Sequence, residues 1–409
     1  MPQFLNDLFG MLSNAGPIQW QVAEQLALNV AAGGSTEPNV DPLDRVKFEE
    51  IASISARYVG AALDEIGLMT PIDLGSRIEV INRASWAKKS LSAWKPLLEE
   101  IGIALSATPI ESGASKPTDE QDLSNAGDMF GQNLANFSDL SNPEALGDNE
   151  MMFKFISQIS QMIAPAMLAM QIGSMIGHLA QTSFGAYDLP LPRVERKGLI
   201  VVSSNVTTFA NDWSLDLESV KLWVLTREML MLVVFSSPHI DKSIRELVSA
   251  HARGMKMDAD EIASKLQNVD LTDPSALESA FGDPEAMFSG QQSLEQIWAA
   301  ESITAGIAAI EGFVHYVGHS IIEKTLGNVS LLEESLIRRR VTRSEAVKYG
   351  ETLFGLTLDQ SNIEMGEKFI SEIVDLSGLD ALANLFNSEN GLPLPSELES
   401  PELWLDRFK

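Results

Sequence analysis

The chain has 409 residues, 45% of them hydrophobic, and a formal net charge of −28 at pH 7. That length allows two or three domains and a sizeable core. The acidity argues against nucleic-acid binding, which needs clustered Lys and Arg, and against adsorption to an anionic membrane surface. Without cysteine, disulfides and thiolate metal sites are excluded. The opening MPQFLNDLFGMLSNAG has no basic n-region and no long apolar core. It does not read as a secretory signal, and a cytoplasmic location follows by default.

The segment PIQWQVAEQLALNVAA, residues 17–32, predicts a helix with Pro17 in its first turn and Gly33-Gly34 ending it. A second helix, Pro42 to Ile66, starts at Asp41-Pro42 and is expected to bury Phe48, Ile51, Ile54, Tyr58 and Leu63. A third, over 78–103, places Trp86, Leu91, Trp94 and Leu97 on its packed side, and Pro96 should kink or split it. Together these form an N-terminal helical region, 1–105. Residues 106–150 are polar, acidic and rich in Gly, Ser and Asn. They read as an exposed, flexible linker with at most a short helix near 129–137.

Residues 151–184 are again helical. No charge falls between Lys154 and Asp188, and Gly173 and Gly177 imitate a membrane-helix contact. However, Gln158, Gln161, Gln171, His178 and Gln181 interrupt the run, Pro165 falls inside it, and no basic flank marks it. It reads as buried core and not as a membrane span. GAYDLPLP follows as a proline-fixed connection. GLIVVSSNV, residues 198–206, is the one predicted strand, and Phe209 to Trp213 form a connection.

Next comes LWVLTREMLMLVVFSSPHI, residues 222–240, whose helix Ser214 or Asp216 would cap. Its only charges are Arg227 and Glu228. A helix apolar on nearly all sides is a buried one, and a buried charge is costly unless paired or metal-bound. The best partners lie between Ser302 and Ile322, where Glu311, His315 and His319 stand at i, i+4 and i+8 and share one face. These two helices are expected to face each other with their polar groups meeting.

Between them, Asp241 to Met255 predicts a helix with Ile244, Leu247 and Val248 inward, and 258–292 is broken at Asp273-Pro274 and Asp283-Pro284. The long helix of 294–325 ends at Gly327. Arg338, Arg339, Arg340 and Arg343 read as a solvated helix end, or as a contact to an acidic segment of a partner subunit. An amphipathic helix over 359–376 and a segment from 382 to 408 close the chain. His178 reads as a core residue, His239 as a cation suited to a helix end, and His251 as a surface residue. The fold class is mainly α with a small β element. No G-x-S-x-G elbow supports a serine triad.

GPIQWQVAEQLALNVAA, VINRASWAKKSLSAWKPLL, FGAYDLPLP, LIVVSSNVTTFANDWSLDLESVKLWVLTRE, IEGFVHYV and LFGLTLDQSNIEMGEKFI together give a resemblance over almost the whole chain. It resembles a bacterial family of zincin-like, zinc-dependent hydrolases or metallopeptidases whose chemistry is inferred from its motif. One subgroup is associated with deazaflavin coenzyme biosynthesis. The resemblance implies a zincin-like helical domain over 151–409 with H-E-x-x-H on the buried helix. There two histidines bind zinc, the glutamate acts as general base, and an EG glutamate downstream is the third ligand.

In this chain those positions hold Arg227, Glu228 and Met231, with Glu311 at the EG position, and no H-E-x-x-H occurs anywhere. Glu228 keeps the general-base position. Arginine cannot ligate, and methionine sulfur is a poor zinc ligand. The resemblance then implies that the usual zinc site cannot form, that no cofactor is needed, and that Arg227 takes the cation's place by pairing with Glu311, Glu228 being a second acceptor. Two functions follow. One is a catalytically inactive member that binds a peptide or protein partner. The other is an active metal-dependent hydrolase with a rearranged zinc site using Glu228, Glu311, His315 and His319.

Overall fold

Helix ends follow their punctuation in the computed structural model, which describes residues 16–34, 37, 39–69, 74, 78–107, 149–194, 198–255, 292–342 and 345–409, with backbone alone at 106–107, 149–164 and 345. The opening segment up to residue 15, the linker between 108 and 148, both Asp-Pro breaks and Arg343 lie outside the described residues. Helix α1 (Trp20–Ala32) stops at Gly33 with φ +60°, a left-handed position that glycine takes without strain. In α2 (Pro42–Ile66), Asp41 accepts the Leu43 N–H at 2.9 Å and Pro42 opens the first turn.

The buried stripe of α2 is Phe48, Ala52, Ser55, Val59, Leu63 and Ile66. The sequence reading put Ile54 and Tyr58 on it, but both are exposed. The helical period from Phe48 passes through small residues, so residue size misled where spacing did not.

Residues 78–81 also differ from expectation. They form strand β1 (Ile78–Ile81), not the start of a helix, and pair in parallel with β2 (Leu199–Val202). The β-branched run IEVI suits a strand, and Asn82 then accepts the Ser85 N–H at 2.9 Å to open α3 (Arg83–Ala107). That helix continues unbroken through Pro96, and Trp86, Leu91, Trp94 and Leu97 are buried in it. Strand β2 ends at Val202. Residues once expected to finish a strand and form a connection make α5 (Ser203–Asp212), after α4 (Asn149–Thr182). Buried Asn205 anchors α5, donating to Ala180 O at 2.9 Å and Ser183 O at 2.7 Å.

Gly173 and Gly177 of α4 face α1. A Cβ on Gly173 would lie 2.6 Å from Ala23 O, and one on Gly177 2.5 Å from Val30 Cβ. Their spacing serves a close helix crossing inside the protein.

Helix α6 (Leu217–Ser236) is capped by Asp216, which accepts the Ser219 N–H at 2.8 Å, and is buried on nearly every side. It is followed by α7 (Pro238–Gly254), α8 (Leu294–Leu326), α9 (Ser330–Val341), α10 (Glu345–Leu353) and α11 (Gln360–Ser377). A 3-10 turn and short helices carry the chain to Asp406. Helix α8 packs against α6, α7 and α11. By length and composition α8 is long and apolar enough to cross a membrane, but 67% of its apolar window is buried inside the protein. One core of buried residues includes positions from Ile18 to Leu405.

Three histidines depart from the reading. His178 is exposed, lying off the face of α4 that carries Gly173 and Gly177. His251 is buried, because it continues the Ile244–Val248 stripe of α7, and its Nε2 is 3.3 Å from Thr352 O. His239 sits in the first turn of α7, since Pro238 begins a helix there; the dipole disfavours a cation at that end.

The α8–α11 contact is made by backbone. A Cβ on Gly366 would run into the Ala308 carbonyl, and one on Gly312 into the Gly366 carbonyl. Gly366→Ala should therefore push α11 off α8 and destabilise the fold by about 1–3 kcal/mol. Urea denaturation measures this directly, with Gly60→Ala, mid-helix and with no atom within 4 Å of the added carbon, as the control that should instead stabilise by about 0.5–1 kcal/mol.

Candidate functional site

The charged pair of α6 is met by the turn that follows α4. Glu228, 2% exposed, accepts the Ala186 N–H at 2.7 Å and the Tyr187 N–H at 3.3 Å. Gly185 allows this approach, because a Cβ there would collide with the Glu228 carboxyl. The turn is itself clamped. Trp86 Nε1 donates to Gly185 O at 2.6 Å, and Arg193 donates to Ala186 O at 3.0 Å. The Tyr187 ring stacks on Phe235 of α6 at 5.3 Å between centroids. Asp188 closes the turn by accepting the Phe184 and Gly185 N–H groups.

Arg227 points the other way. Its Nη2 donates to Glu311 Oε1 of α8 at 2.7 Å, and its Nη1 to Tyr187 O at 3.1 Å. The Glu228 carboxylate stands 3.6 Å from Nη1. Burial opposes the guanidinium's charge, but the carboxylates of Glu311, Asp188 and Glu228 outweigh it and hold its pKa up. For Glu228 burial wins. It pushes the carboxyl up to about 7, against Arg227 and the two backbone donors.

Arg227 and Glu311 form one wall of a cavity of about 530 Å³ between α6, α8, α9 and α11. Glu228 is not among the residues that line it. Two of the arginines read as a solvated helix end line this cavity as well. Arg339 donates to Asp188 at 3.1 Å and to Thr182 O at 2.8 Å, with its guanidinium 3.8 Å from the centre of the Phe184 ring. Arg340 lies beside it on the cavity wall, while Arg338, 60% exposed, pairs with Glu334. The run is drawn inward because Asp188, the lone charge between Lys154 and Arg193, presents an acceptor there.

His315 and His319 line the same cavity, at i+4 and i+8 from Glu311 along α8. His315 Nδ1 is 3.2 Å from Glu367 Oε1, and His319 Nδ1 bonds to Glu333. Burial, then Arg340 and His319, lower the His315 pKa. Burial also raises that of Glu367. His315, His319 and Glu333 could together hold a metal ion; Glu311 is not in that group. Sequence reading missed Asp188, Glu333, Glu367, Arg339 and Arg340 at this site. Asp188 had a signal, its isolation in an uncharged run. Glu333 and Glu367 had none, as each lies on an ordinary amphipathic helix.

Arg227, Met231 and Glu311, as they stand here, do not fit zinc. Arg227 offers only N–H groups, Glu311 accepts from it, and Met231 is fully buried in the core.

The Glu228 carboxyl has a raised folded-state pKa, so the folded protein binds its proton more tightly than the unfolded chain. Its contribution is fully present below pH 4.5 and is lost as pH rises to about 7. Glu228→Gln, which mimics the protonated form, should match the native chain near pH 4.5 and exceed it at pH 8 by up to about 3 kcal/mol. Urea titrations of both proteins across that range give the difference; a variant less stable at pH 8 than at pH 4.5, relative to the native chain, would contradict it.

A family profile described as zincin-like metallopeptidase matches residues 18–405. Among solved structures, the chain is similar to one titled "Crystal structure of a putative hydrolase with a novel fold from Chloroflexus aurantiacus". The identity is 18%, the TM-score is 0.61, and the alignment covers 96% of this chain and 98% of that one. At that identity the likeness speaks for the fold. No curated protein matches the chain. With a profile spanning nearly its whole length, the chain belongs to the zincin-like metallopeptidase family.

Proposed function

We propose that this chain is a peptide- or protein-binding member of its family, in which an ion pair stands at the metal's position and no hydrolysis follows binding. The observation that carries the reading is the Arg227 guanidinium, shared between Glu311 at 2.7 Å and Tyr187 O at 3.1 Å. A guanidinium stays charged and only donates. It neutralises Glu311 as a cation would, yet offers no open coordination position and cannot activate water as a metal does. Glu228, at the general-base position, is occupied by the Ala186 and Tyr187 amides.

The cavity remains. Its size suits a ligand of several residues. Trp223, Val314 and Ile322 supply apolar wall, and Asp188, His315 and Arg340 supply polar groups that can orient a peptide.

A fluorophore-labelled pool of casein peptides tests both halves of the reading. Anisotropy should rise on addition of the protein, no new amino termini should form, and Glu228→Gln should leave the rise unchanged. Peptide hydrolysis that Glu228→Gln abolishes would overturn the inactive reading, and an unchanged anisotropy would overturn the binding one.

The exchange of metal for arginine is tested by reversing it. Arg227→His with Met231→His, made in a His315→Ala background so that the second histidine pair is broken, should gain about one zinc per chain over the background alone. Zinc content unchanged by the two substitutions would show that more than these side chains has been lost.

A further inference from the structure

A second constellation lies along α8, one turn beyond Glu311. A ring nitrogen of His315, a ring nitrogen of His319 and a carboxylate oxygen of Glu333 all lie within 4.8 Å of one another. The two rings are stacked, with centroids 5.8 Å apart and planes 27° from parallel. Both side chains are partly exposed, at 39% and 38%, and both open on the cavity. The simplest account is two histidines each satisfied by a carboxylate. It explains Nδ1 of each ring, through Glu367 and Glu333. It does not explain why the two imidazoles stack at i and i+4 with three carboxylates gathered on them, Glu323 being the third at 3.7 Å from His319 Nε2.

We infer that His315, His319 and Glu333 form a binding site for a divalent transition metal, zinc foremost. The donor set carries the choice of metal. Two imidazoles and one carboxylate suit zinc and its neighbours, whereas magnesium and calcium take oxygen ligands.

Glu367 supplies the supporting contact. A carboxylate at Nδ1 takes the imidazole N–H, fixes the ring and leaves the other nitrogen's lone pair for the metal. At His319 the metal replaces the proton shared by Nδ1 and Glu333, and that proton passes to solvent. The charge balance also favours a cation. Glu311 is already matched by Arg227, so Glu323, Glu333 and Glu367 stand about the two rings, with Arg340 the cation that acts on His315.

This site uses neither Arg227 nor Met231, and Glu311 is not one of its ligands. It does not rest on the peptide-binding reading either, because metal content and peptide binding are read separately.

The test uses the full chain, purified without a histidine tag, loaded with zinc and dialysed, with zinc counted by elemental mass spectrometry. Cobalt(II) in place of zinc adds a visible absorption spectrum that reports coordination. The expected result is one retained zinc per chain and a tetrahedral-type cobalt spectrum. Both should be lost in His315→Asn, His319→Asn and Glu333→Gln, and kept in Glu311→Gln. Glu367→Gln should weaken zinc binding about tenfold or more. Circular dichroism melts check that each variant remains folded, which the partial exposure of all the ligands favours. A native chain that retains no zinc, or a zinc that survives both His315→Asn and His319→Asn, overturns the assignment. So does a zinc lost in Glu311→Gln alone, which would belong to the Arg227 wall instead.

Discussion

An arginine and a glutamate in adjacent positions at the middle of a buried helix impose a demand that the surrounding structure meets. Each charge removed from water costs several kcal/mol unless it is paired and hydrogen-bonded. In α6 the two are served from opposite sides. Glu228 takes the backbone N–H groups of the Ala186–Tyr187 turn, and Arg227 takes Glu311 of α8 and the Tyr187 carbonyl. Tyr187 thus contributes its N–H to one member of the pair and its C=O to the other. The two peptide units that flank Tyr187 are held in place by the turn, which Trp86, Arg193 and Asp188 clamp.

The consequence reaches well beyond α6. The turn must start where α4 ends, so α4 has to reach Thr182 in the right register, and the glycines that let α1 lie against α4 serve that placement. Trp86 comes from α3, whose start is set by the short parallel pair β1–β2. Glu311 comes from α8, whose distance from α11 is set by the Gly312–Gly366 backbone contact. Elements far apart in the chain are positioned around a single pair of charges.

The cavity beside this pair inherits its polarity from the same source. Arg339 is drawn to Asp188 and the end of α4, which turns the α9 basic run toward the cavity. His315 and His319 then find their carboxylates on α9 and α11. The cavity where we propose that a peptide binds is therefore walled by paired charges, and the proposed metal site stands at its imidazole end.

Local patterns in the sequence were enough for most helices, for their caps, and for the shared face of Glu311, His315 and His319, because capping and helical period depend on neighbours a few residues away. They were also enough to show that Arg227 and Glu228 needed partners, since burial follows from the apolar run around them. The resemblance pointed Arg227 to Glu311, as the structure has it, but tertiary structure alone supplied the Ala186–Tyr187 turn to Glu228. Strand β1 is a strand because β2 lies beside it, more than a hundred residues later. Ile54, Tyr58, His178 and His251 lie on the faces that packing gave them, not those their side chains suggested. Asp188, Glu333, Glu367 and Arg339 join the site through contacts between separate elements, and no spacing along the chain encodes a contact that only long-range packing creates.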